Sequence, residues 1–137
     1  MIDGSIPLAP DMGICVTDVR DVAEAHVRAI EAPAERVRGQ RFPTSVKFLW
    51  IREMAQIVRE RVPEYSAKAP TRPMPDWLVR FLALFMPEMK QIKGELGNIR
   101  DVSGKHTEEV LGFTFISAEQ TLEDTVRSLV EKGIVKV

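Results

Sequence analysis

The chain has 137 residues, which is enough for one hydrophobic core and too few for several domains. Its composition, 45% apolar and 28% charged, is that of an ordinary soluble globular protein. The 19 basic and 20 acidic residues leave a formal charge of −1, so neither nucleic acid nor an anionic membrane is an expected partner. The one cysteine, Cys15, rules out an internal disulfide and is typical of a reducing compartment.

The sequence predicts neither a leader nor a membrane span. Residues 1–4 lack the basic and apolar regions of a signal peptide. The most apolar run, residues 77–86, contains Arg80 and is far shorter than the ~20 residues that a helix needs to cross a bilayer. We therefore expect a cytoplasmic protein with no membrane contact.

A loop, a short strand and a helix are predicted for the N-terminal part. Residues 1–12 are rich in glycine and proline and should form an extended loop. The β-prone run 14–17 precedes Asp18, whose carboxylate can cap a helix over residues 19–32. Pro33 then ends the helix, because a proline disfavours helical geometry at the residue before it.

That helix should be amphipathic. Asp21 occupies the position of the acid in a capping box with Asp18. Glu24 precedes Arg28 by four residues, the favourable order for an ion pair on the side predicted to face solvent. Apolar positions spaced by three and four form a stripe that we expect to be buried: Val19, Val22, Ala23, His26, Ala29 and Ile30.

The middle of the chain predicts two more helices. Residues 41–44 are typical of a short edge strand, and Ser45 is a candidate N-cap for a helix that ends before Pro63. Residues 68–74 should be extended because of their prolines. A helix then begins near Pro75 and is apolar almost all round over residues 77–85, so it should be covered on most sides. The inner stripe of the first of these helices is Phe48, Ile51, Ala55, Val58 and Val62, widened by Met54 and Ile57.

Short elements precede a long final helix. A helical segment over residues 88–95, a short strand at 99–102, a brief helix ending at Gly112 and an extended segment at 113–115 are predicted. Ser117 and Gln120 form a capping box for the last helix, which ends at Gly133 with an apolar contact from Ile134. Its inner stripe is Leu122, Val126, Leu129 and Val130. The predicted fold class is α+β: one helix-rich domain over residues 1–137, with a few short strands.

Several of these segments resemble one protein family. A strand leads into residues 18–23, DVRDVA, followed by Ala25-His26 and by a helix ending at Glu31-Ala32-Pro33. Residues 39–42 (GQRF), 70–75 (PTRPMP) and 111–115 (LGFTF) continue the likeness. Together they resemble the C-terminal, substrate-binding half of the extended short-chain dehydrogenase/reductases, in particular the dihydroflavonol 4-reductase-like and NAD-dependent epimerase/dehydratase members. The resemblance implies a chain without the N-terminal nucleotide-binding domain.

The catalytic and cofactor signatures of that family are not in this sequence. Its dinucleotide site needs a glycine-rich turn, and no three of the eight glycines have G-x-G-x-x-G spacing. Its general acid is a Tyr with a Lys four residues later, whereas the one tyrosine, Tyr65, is followed at that distance by Ala69. NAD or NADP is therefore implied for the intact enzyme and no cofactor for this chain. Hydride transfer to or from nicotinamide would then depend on residues elsewhere.

Other chemical groups are interpreted as structural. His26 is expected to be a packed, hydrogen-bonded side chain on the buried stripe, and His106 an exposed residue at a helix start. Cys15 is expected to be a buried strand residue, and Asp18 and Asp21 to serve as helix caps. No spacing of His and Cys forms a convincing zinc site.

The resemblance also implies a substrate wall. The loop and strand before DVRDVA place Pro10, Met12 and Cys15 near the substrate, and the proline-flanked helix entry adds Met74, Trp77 and Phe81. Met and aromatic walls suit a mostly apolar carbonyl compound, and a sugar nucleotide is the alternative substrate in this family. Core packing of the same side chains remains the competing interpretation.

Two functional hypotheses remain open from the sequence. One is the substrate-binding portion of an NAD(P)-dependent oxidoreductase, inactive by itself. The other is a free-standing binding or interaction module without a cofactor domain. In either case, the apolar helix over residues 77–85 and the segment 12–15 are expected to be exposed without a partner domain and to drive homo-oligomer formation, a twofold dimer above all.

Overall fold

The computed structural model describes residues 2–4 and 7–135, apart from the side chains of residues 88 and 91. The loop prediction for residues 1, 5 and 6 lies outside this part. The elements follow the order β1 (Gly13–Val16), α1 (Val19–Glu31), α2 (Ala34–Val37), β2 (Lys47–Trp50), α3 (Ile51–Arg61), α4 (Asp76–Leu82), α5 (Pro87–Lys93), α6 (Lys105–Leu111) and α7 (Ala118–Glu131). A 3₁₀ turn at Pro63–Tyr65 follows α3. The described chain is thus helix-rich with a small two-stranded sheet, as predicted.

The sheet pairs β1 with β2 in antiparallel register, Gly13 opposite Trp50 and Val16 opposite Lys47. The predicted strand at 41–44 is wrong, because the strand lies six residues later, at 47–50. The predicted helix start at Ser45 is wrong for the same reason, since α3 begins only at Ile51. The Glu53 carboxylate accepts a hydrogen bond from the Trp50 N–H (2.9 Å) and fixes that start. Ser45 is instead buried, and its hydroxyl has no hydrogen-bond partner within the described residues.

The core lies between α3, α7 and the sheet. The predicted inner stripes of α3 and α7 are confirmed at Ala55, Val58, Val62, Leu122 and Val126, all of which are buried. Burying a Val- or Leu-sized side chain stabilises a fold by roughly 1.5–3 kcal/mol, so this contact accounts for much of the domain's stability. Ile2, Val16 and Leu49 complete the cluster, together with Ala118 at the start of α7.

Helix α1 turns its apolar stripe outward, and the prediction that this stripe is buried is wrong. Val19 and Ile30 are 80% and 83% exposed, and Ala23, His26 and Val27 are exposed as well. The buried residues of α1 are Asp21 and Ala25. The reason is long-range: the other face of the helix is held to the rest of the domain by charged side chains.

Helices α4 and α5 also leave most of their apolar surface uncovered. Val79, which is fully buried, anchors α4 to the domain. The expectation that residues 77–85 are covered on most sides is wrong for this chain, because Trp77, Phe81, Leu84 and Phe85 are exposed. The separate helical segment predicted after α4 is confirmed as α5, which begins at Pro87.

Glycine and serine caps end and begin the C-terminal helices. Gly112 (φ 71°) closes α6 and Gly133 (φ 65°) follows α7, at the two helix ends that were predicted, and both are in the left-handed conformation. The Ser117 hydroxyl accepts from Gln120 N–H (3.2 Å), but the Gln120 side chain donates to Asp124 instead of closing a capping box. Ile134 N–H donates to the Leu129 carbonyl (3.0 Å) at this helix end, and its side chain is 67% exposed. The strand predicted at 99–102 is not formed, and 113–115 is extended without pairing.

Across residues 2–4 and 7–135, every helix is too short or too polar to cross a bilayer.

Candidate functional site

Met12 and Cys15 lie where the start of β1 meets the segment after α5. The Asp11 carbonyl accepts from the Gly97 N–H (2.8 Å), and the Cys15 thiol donates to the Arg100 carbonyl (3.0 Å). Gly97 has a φ of 69°, which lets the backbone turn towards β1. Cys15 is only half-buried, so the expectation of a fully buried strand thiol is wrong. Both predicted wall residues thus border a seam between two segments far apart in sequence.

Pro10 and Met74 lie at a second junction, between the N-terminal loop and the proline-rich segment. Ala9 N–H donates to the Arg72 carbonyl (2.9 Å), and Met74 N–H donates to the Ala9 carbonyl (2.7 Å). These bonds hold residues 9 and 73 in a short parallel bridge. Pro10 and Met74 are both buried there, so their side chains are fixed by the packing of this chain.

Trp77 and Phe81 lie one helical turn apart on α4 and are 68% and 54% exposed. The Phe81 ring meets the Phe85 ring edge-on, with centroids 5.6 Å apart. Beside them is an open groove of about 460 Å³ lined by apolar residues and by three basic ones, Arg80, Lys90 and Lys93. These apolar side chains remain in contact with solvent, and an exposed apolar patch of this kind is unusual among monomeric soluble proteins.

The six predicted wall residues therefore lie at three sites, which are linked to one another by short stretches of sequence and by backbone hydrogen bonds. Met12 follows Pro10 in the loop, Ala9 is bonded to Met74, and Trp77 follows Met74 by three residues. None of the six lines the groove beside α4, which is formed by other side chains. Any substrate site made from these residues needs walls from outside the described chain.

The acidic residues of the DVRDVA segment have structural roles. Asp18 caps α1 by accepting from the Arg20 N–H (2.9 Å), as predicted, and also binds the Arg20 guanidinium (2.8 Å). The hydrogen bond from Arg20 lowers the pKa of Asp18 to about 2, although burial opposes it. The Arg20 guanidinium reaches Asp124 of α7 as well (2.6 Å), so it ties the two helices together.

Asp21 is not the acid of a capping box, contrary to the prediction. Its carboxylate accepts from the Ile116 N–H (3.0 Å) and so fixes the segment before α7 against α1. Burial of the carboxylate raises the pKa of Asp21, which the bond from Ile116 partly opposes. A contact between residues 95 positions apart leaves no local signal in the sequence.

Arg28 provides the third polar tie of α1. It pairs with Glu24 as predicted, and its Nη1 also donates to the Leu111 (3.2 Å) and Gly112 (2.7 Å) carbonyls. The guanidinium lies 5.4 Å from the Phe113 ring centroid, within reach of a cation–π contact. The solvated role that the sequence suggested for Arg28 is therefore wrong.

The histidines form no reactive pair. Val22 O accepts from His26 Nδ1 (2.7 Å), so His26 is hydrogen-bonded as predicted, but its ring is exposed and not packed. His106 is exposed, as predicted; it stacks on Phe42 and lies 2.8 Å from Gln40 Oε1. Among the residues described, no three His, Cys, Asp or Glu side chains gather where they could hold a metal ion.

Comparisons with known proteins point to one group. A ketoreductase, azaE, from Aspergillus niger is 32% identical over 131 residues, which are 96% of this chain and 32% of that protein. The structure of Candida albicans Gre2 in complex with NADPH superposes with a TM-score of 0.61 and 25% identity, covering 90% of this chain and 33% of that one. This chain is similar to ketoreductase and Gre2-type NADPH-dependent reductases of the extended short-chain dehydrogenase/reductase family.

Yeast methylglyoxal/isovaleraldehyde reductase Gre2, solved with NADPH, shares the fold with a TM-score of 0.63 at 22% identity; the match covers 97% of this chain and 40% of that one. No protein-family model matches the sequence. The chain spans about a third of the length of the reductases it matches. The region of similarity thus corresponds to one part of each of these longer reductases.

Proposed function

We propose that this chain is the C-terminal, substrate-binding portion of an NADPH-dependent reductase that acts on the carbonyl group of a small, mostly apolar molecule. The observation that carries the proposal is the 32% identity to a ketoreductase across 96% of this chain. The NADPH bound by Candida albicans Gre2 supports NADP over NAD as the cofactor of the intact enzyme.

The chain's own residues do not fit a dinucleotide. Such a site needs backbone N–H groups of a glycine-rich turn at a helix N-terminus. Here the glycines at 112 and 133 close the C-terminal ends of α6 and α7. The sequence also lacks the Tyr and Lys pair of the family, so the proposal assigns no proton or hydride transfer to this chain. By itself it should neither bind NADPH nor reduce a carbonyl compound.

The proposed contribution of this chain is one wall of the substrate site. Met12 and Cys15 would supply one part of it, supported from behind by the buried Pro10. Trp77 and Phe81 would supply the other, supported from behind by the buried Met74. The backbone pairing between Ala9 and Met74 holds the two parts together. Sulfur and aromatic groups favour an apolar substrate, since they offer little hydrogen bonding to a sugar nucleotide.

Within the family, a reductase is favoured over a nucleotide-sugar epimerase or dehydratase. The relatives found are a ketoreductase and Gre2 reductases. A dihydroflavonol 4-reductase-like activity is compatible with the same wall, because its substrates are flat carbonyl compounds. A free-standing interaction module is the second candidate, which the exposed apolar side chains of α4 support.

We also propose that the chain, when alone, self-associates through the apolar surface of α4 and α5. Trp77, Phe81, Leu84 and Phe85 are all exposed there, and burying each should contribute roughly 1.5–3 kcal/mol. In a twofold dimer this surface of one chain packs against the same surface of the other, so neither remains exposed. A cytoplasmic location, supported by the single unpaired Cys15, completes the proposal.

Two measurements test the function. The mass of the native protein distinguishes a portion of a reductase from a free-standing module. With the full-length gene product, NADPH consumption should be seen with apolar ketones or aldehydes. The reductase assignment would be rejected if the protein turned over only nucleotide sugars, or if it turned over neither nucleotide sugars nor apolar carbonyl compounds.

Variants then test the wall. Trp77→Ala should raise KM for the bulkiest apolar carbonyl compound by roughly tenfold, the effect of losing about 1.4 kcal/mol of binding energy. Ile134→Ala is the matched control, since Ile134 is equally exposed but lies beyond α7. Equal KM values for the two variants would remove Trp77 from the substrate wall.

A further inference from the structure

The surface of α1 is the unexplained feature of this fold. Around the helix axis, Val19, Ile30 and Ala23 lie within about 40° of each other at 100° per residue, with His26 and Val27 beside them. All five are exposed. The arc spans about 100° and contains no charged residue, so this exposed strip of a 13-residue helix has the chemistry of a core surface.

The orientation of α1 is fixed by strong polar contacts. Arg20, which is bound by Asp18, holds it to α7 through Asp124. Asp21 holds it to the segment before α7 by accepting from the Ile116 N–H, and Arg28 holds it to the end of α6 by donating to the Gly112 carbonyl. Charge-assisted bonds of this kind are the stronger ones in proteins. The helix therefore cannot roll its apolar arc inward without breaking contacts at both of its ends.

A groove adjoins the arc and provides a place for a partner's side chains. It has a volume of about 180 Å³ and lies between α1 and the segment before β2. Its lining is mostly apolar: Val22, Ala25, Ala29 and Phe42, with His26 and Thr44. The small alanines let another backbone approach closely, so the arc and the groove together form a packing surface.

We propose that this α1 surface (Val19, Ala23, His26, Val27 and Ile30, with the adjoining groove) is covered in the intact reductase by its nucleotide-binding part. The inference rests on the proposed function, and it names the face of this chain on which the two parts meet. The matched reductases are about three times as long as this chain, so such a part has the length to supply a cover.

Area favours this occupant over a second copy of the chain. A 13-residue helix is about 20 Å long and ~10 Å wide, so its face offers on the order of 200 Å² in projection. A stable dimer buries about 800 Å² on each partner. A part of the same chain can use a smaller surface, because its effective concentration is in the millimolar range.

The test compares the longest protein that the gene encodes with the 137-residue chain alone. In a Cys15→Ser background, Ile30→Cys places a thiol on the α1 surface, and Glu109→Cys places one on an exposed position of α6 as the control. We expect thiol labelling at position 30 to be slower by about tenfold or more in the long protein, with labelling at position 109 unchanged. Independently, Ile30→Glu should lower the Tm of the long protein but not that of the short chain.

Three results would overturn the inference: equal labelling at position 30 in both proteins, a gene that encodes nothing beyond the 137 residues, or protection in the short chain that increases with its concentration. The last would assign the surface to a second copy. Activity is measured on the wild-type long protein, because Cys15 belongs to the proposed substrate wall. The proposed function fails separately if position 30 is protected in the long protein but none of the carbonyl compounds tested supports NADPH oxidation. Reduction of a carbonyl compound with position 30 unprotected would leave the function standing and reject the α1 contact.

Discussion

Replacing Asp18 by asparagine separates the charge of this residue from its role as a helix cap. Its Oδ1 accepts from the Arg20 backbone N–H, and both carboxylate oxygens bind the Arg20 guanidinium at 2.8–2.9 Å. Asn can keep the first bond, because it is as good an N-cap as Asp, but it cannot form the ion pair. Asp18→Ala loses both.

The magnitude follows from the pKa of Asp18. Lowering it from 3.8 to about 2 corresponds to at most about 2.5 kcal/mol. The Arg20 side chain is 53% exposed, and solvent screens its attraction, so we expect about 1–2 kcal/mol. Because the pKa is lowered in the folded protein, this contribution is complete above about pH 4 and is lost as the pH falls towards 2.

Urea unfolding followed by circular dichroism measures the effect, since urea does not screen charges. At about pH 6, Asp18→Asn should reduce the free energy of unfolding by about 1–2 kcal/mol and Asp18→Ala by ~1 kcal/mol more. The difference between the wild type and Asp18→Asn should vanish between about pH 4 and pH 2. Asp101→Asn, at an exposed position, is the control and should change little. A difference that is absent at pH 6, or one that persists unchanged to pH 2, would refute the reasoning.

Three further predictions follow from the same structure. Phe81→Glu should convert a self-associating chain into a monomer in sedimentation equilibrium, whereas Ile134→Glu should not; a wild type that is monomeric at high concentration would show that the α4 surface needs no cover. Calorimetric titration of the 137-residue chain with NADPH should show no saturable binding, and micromolar affinity would contradict the division of roles proposed above. Gly104→Ala should destabilise the domain by about 1–3 kcal/mol, because its Cβ would lie 2.3 Å from a Phe115 ring carbon and 2.5 Å from the Ser45 carbonyl oxygen. Unchanged urea midpoints would show that both neighbours move freely.

The candidate wall was predictable only as a set of residue types. The family resemblance in DVRDVA, PTRPMP and LGFTF led to the same group as the ketoreductase and Gre2 comparisons. Which wall residues are exposed was not predictable, because Met74 is covered by the pairing of the N-terminal loop while Trp77, three residues later, is not. That difference depends on which side of α4 meets the domain.

The sequence by itself determined the features whose causes lie within a few residues. Asp18 caps α1 through the N–H two positions on, Ser117 caps α7 through the N–H three positions on, and Gly112 ends α6 because it tolerates a positive φ. The 3.6-residue period likewise identified the apolar faces of α3 and α7. Each of these follows from backbone geometry and short-range hydrogen bonding.

Only the tertiary structure decided where those faces point and what distant groups meet. The period marked an apolar stripe on α1 correctly, but the stripe faces outward because Asp21 is bonded to Ile116 and Arg20 to Asp124, about 100 residues away in sequence. The strand at 47–50 exists because residues 13–16 pair with it. Considered without that pairing, the sequence of residues 47–50 predicts the start of a helix. Periodicity fixes which residues share a face. Whether that face is covered depends on the free energy of contacts with residues at any distance along the chain.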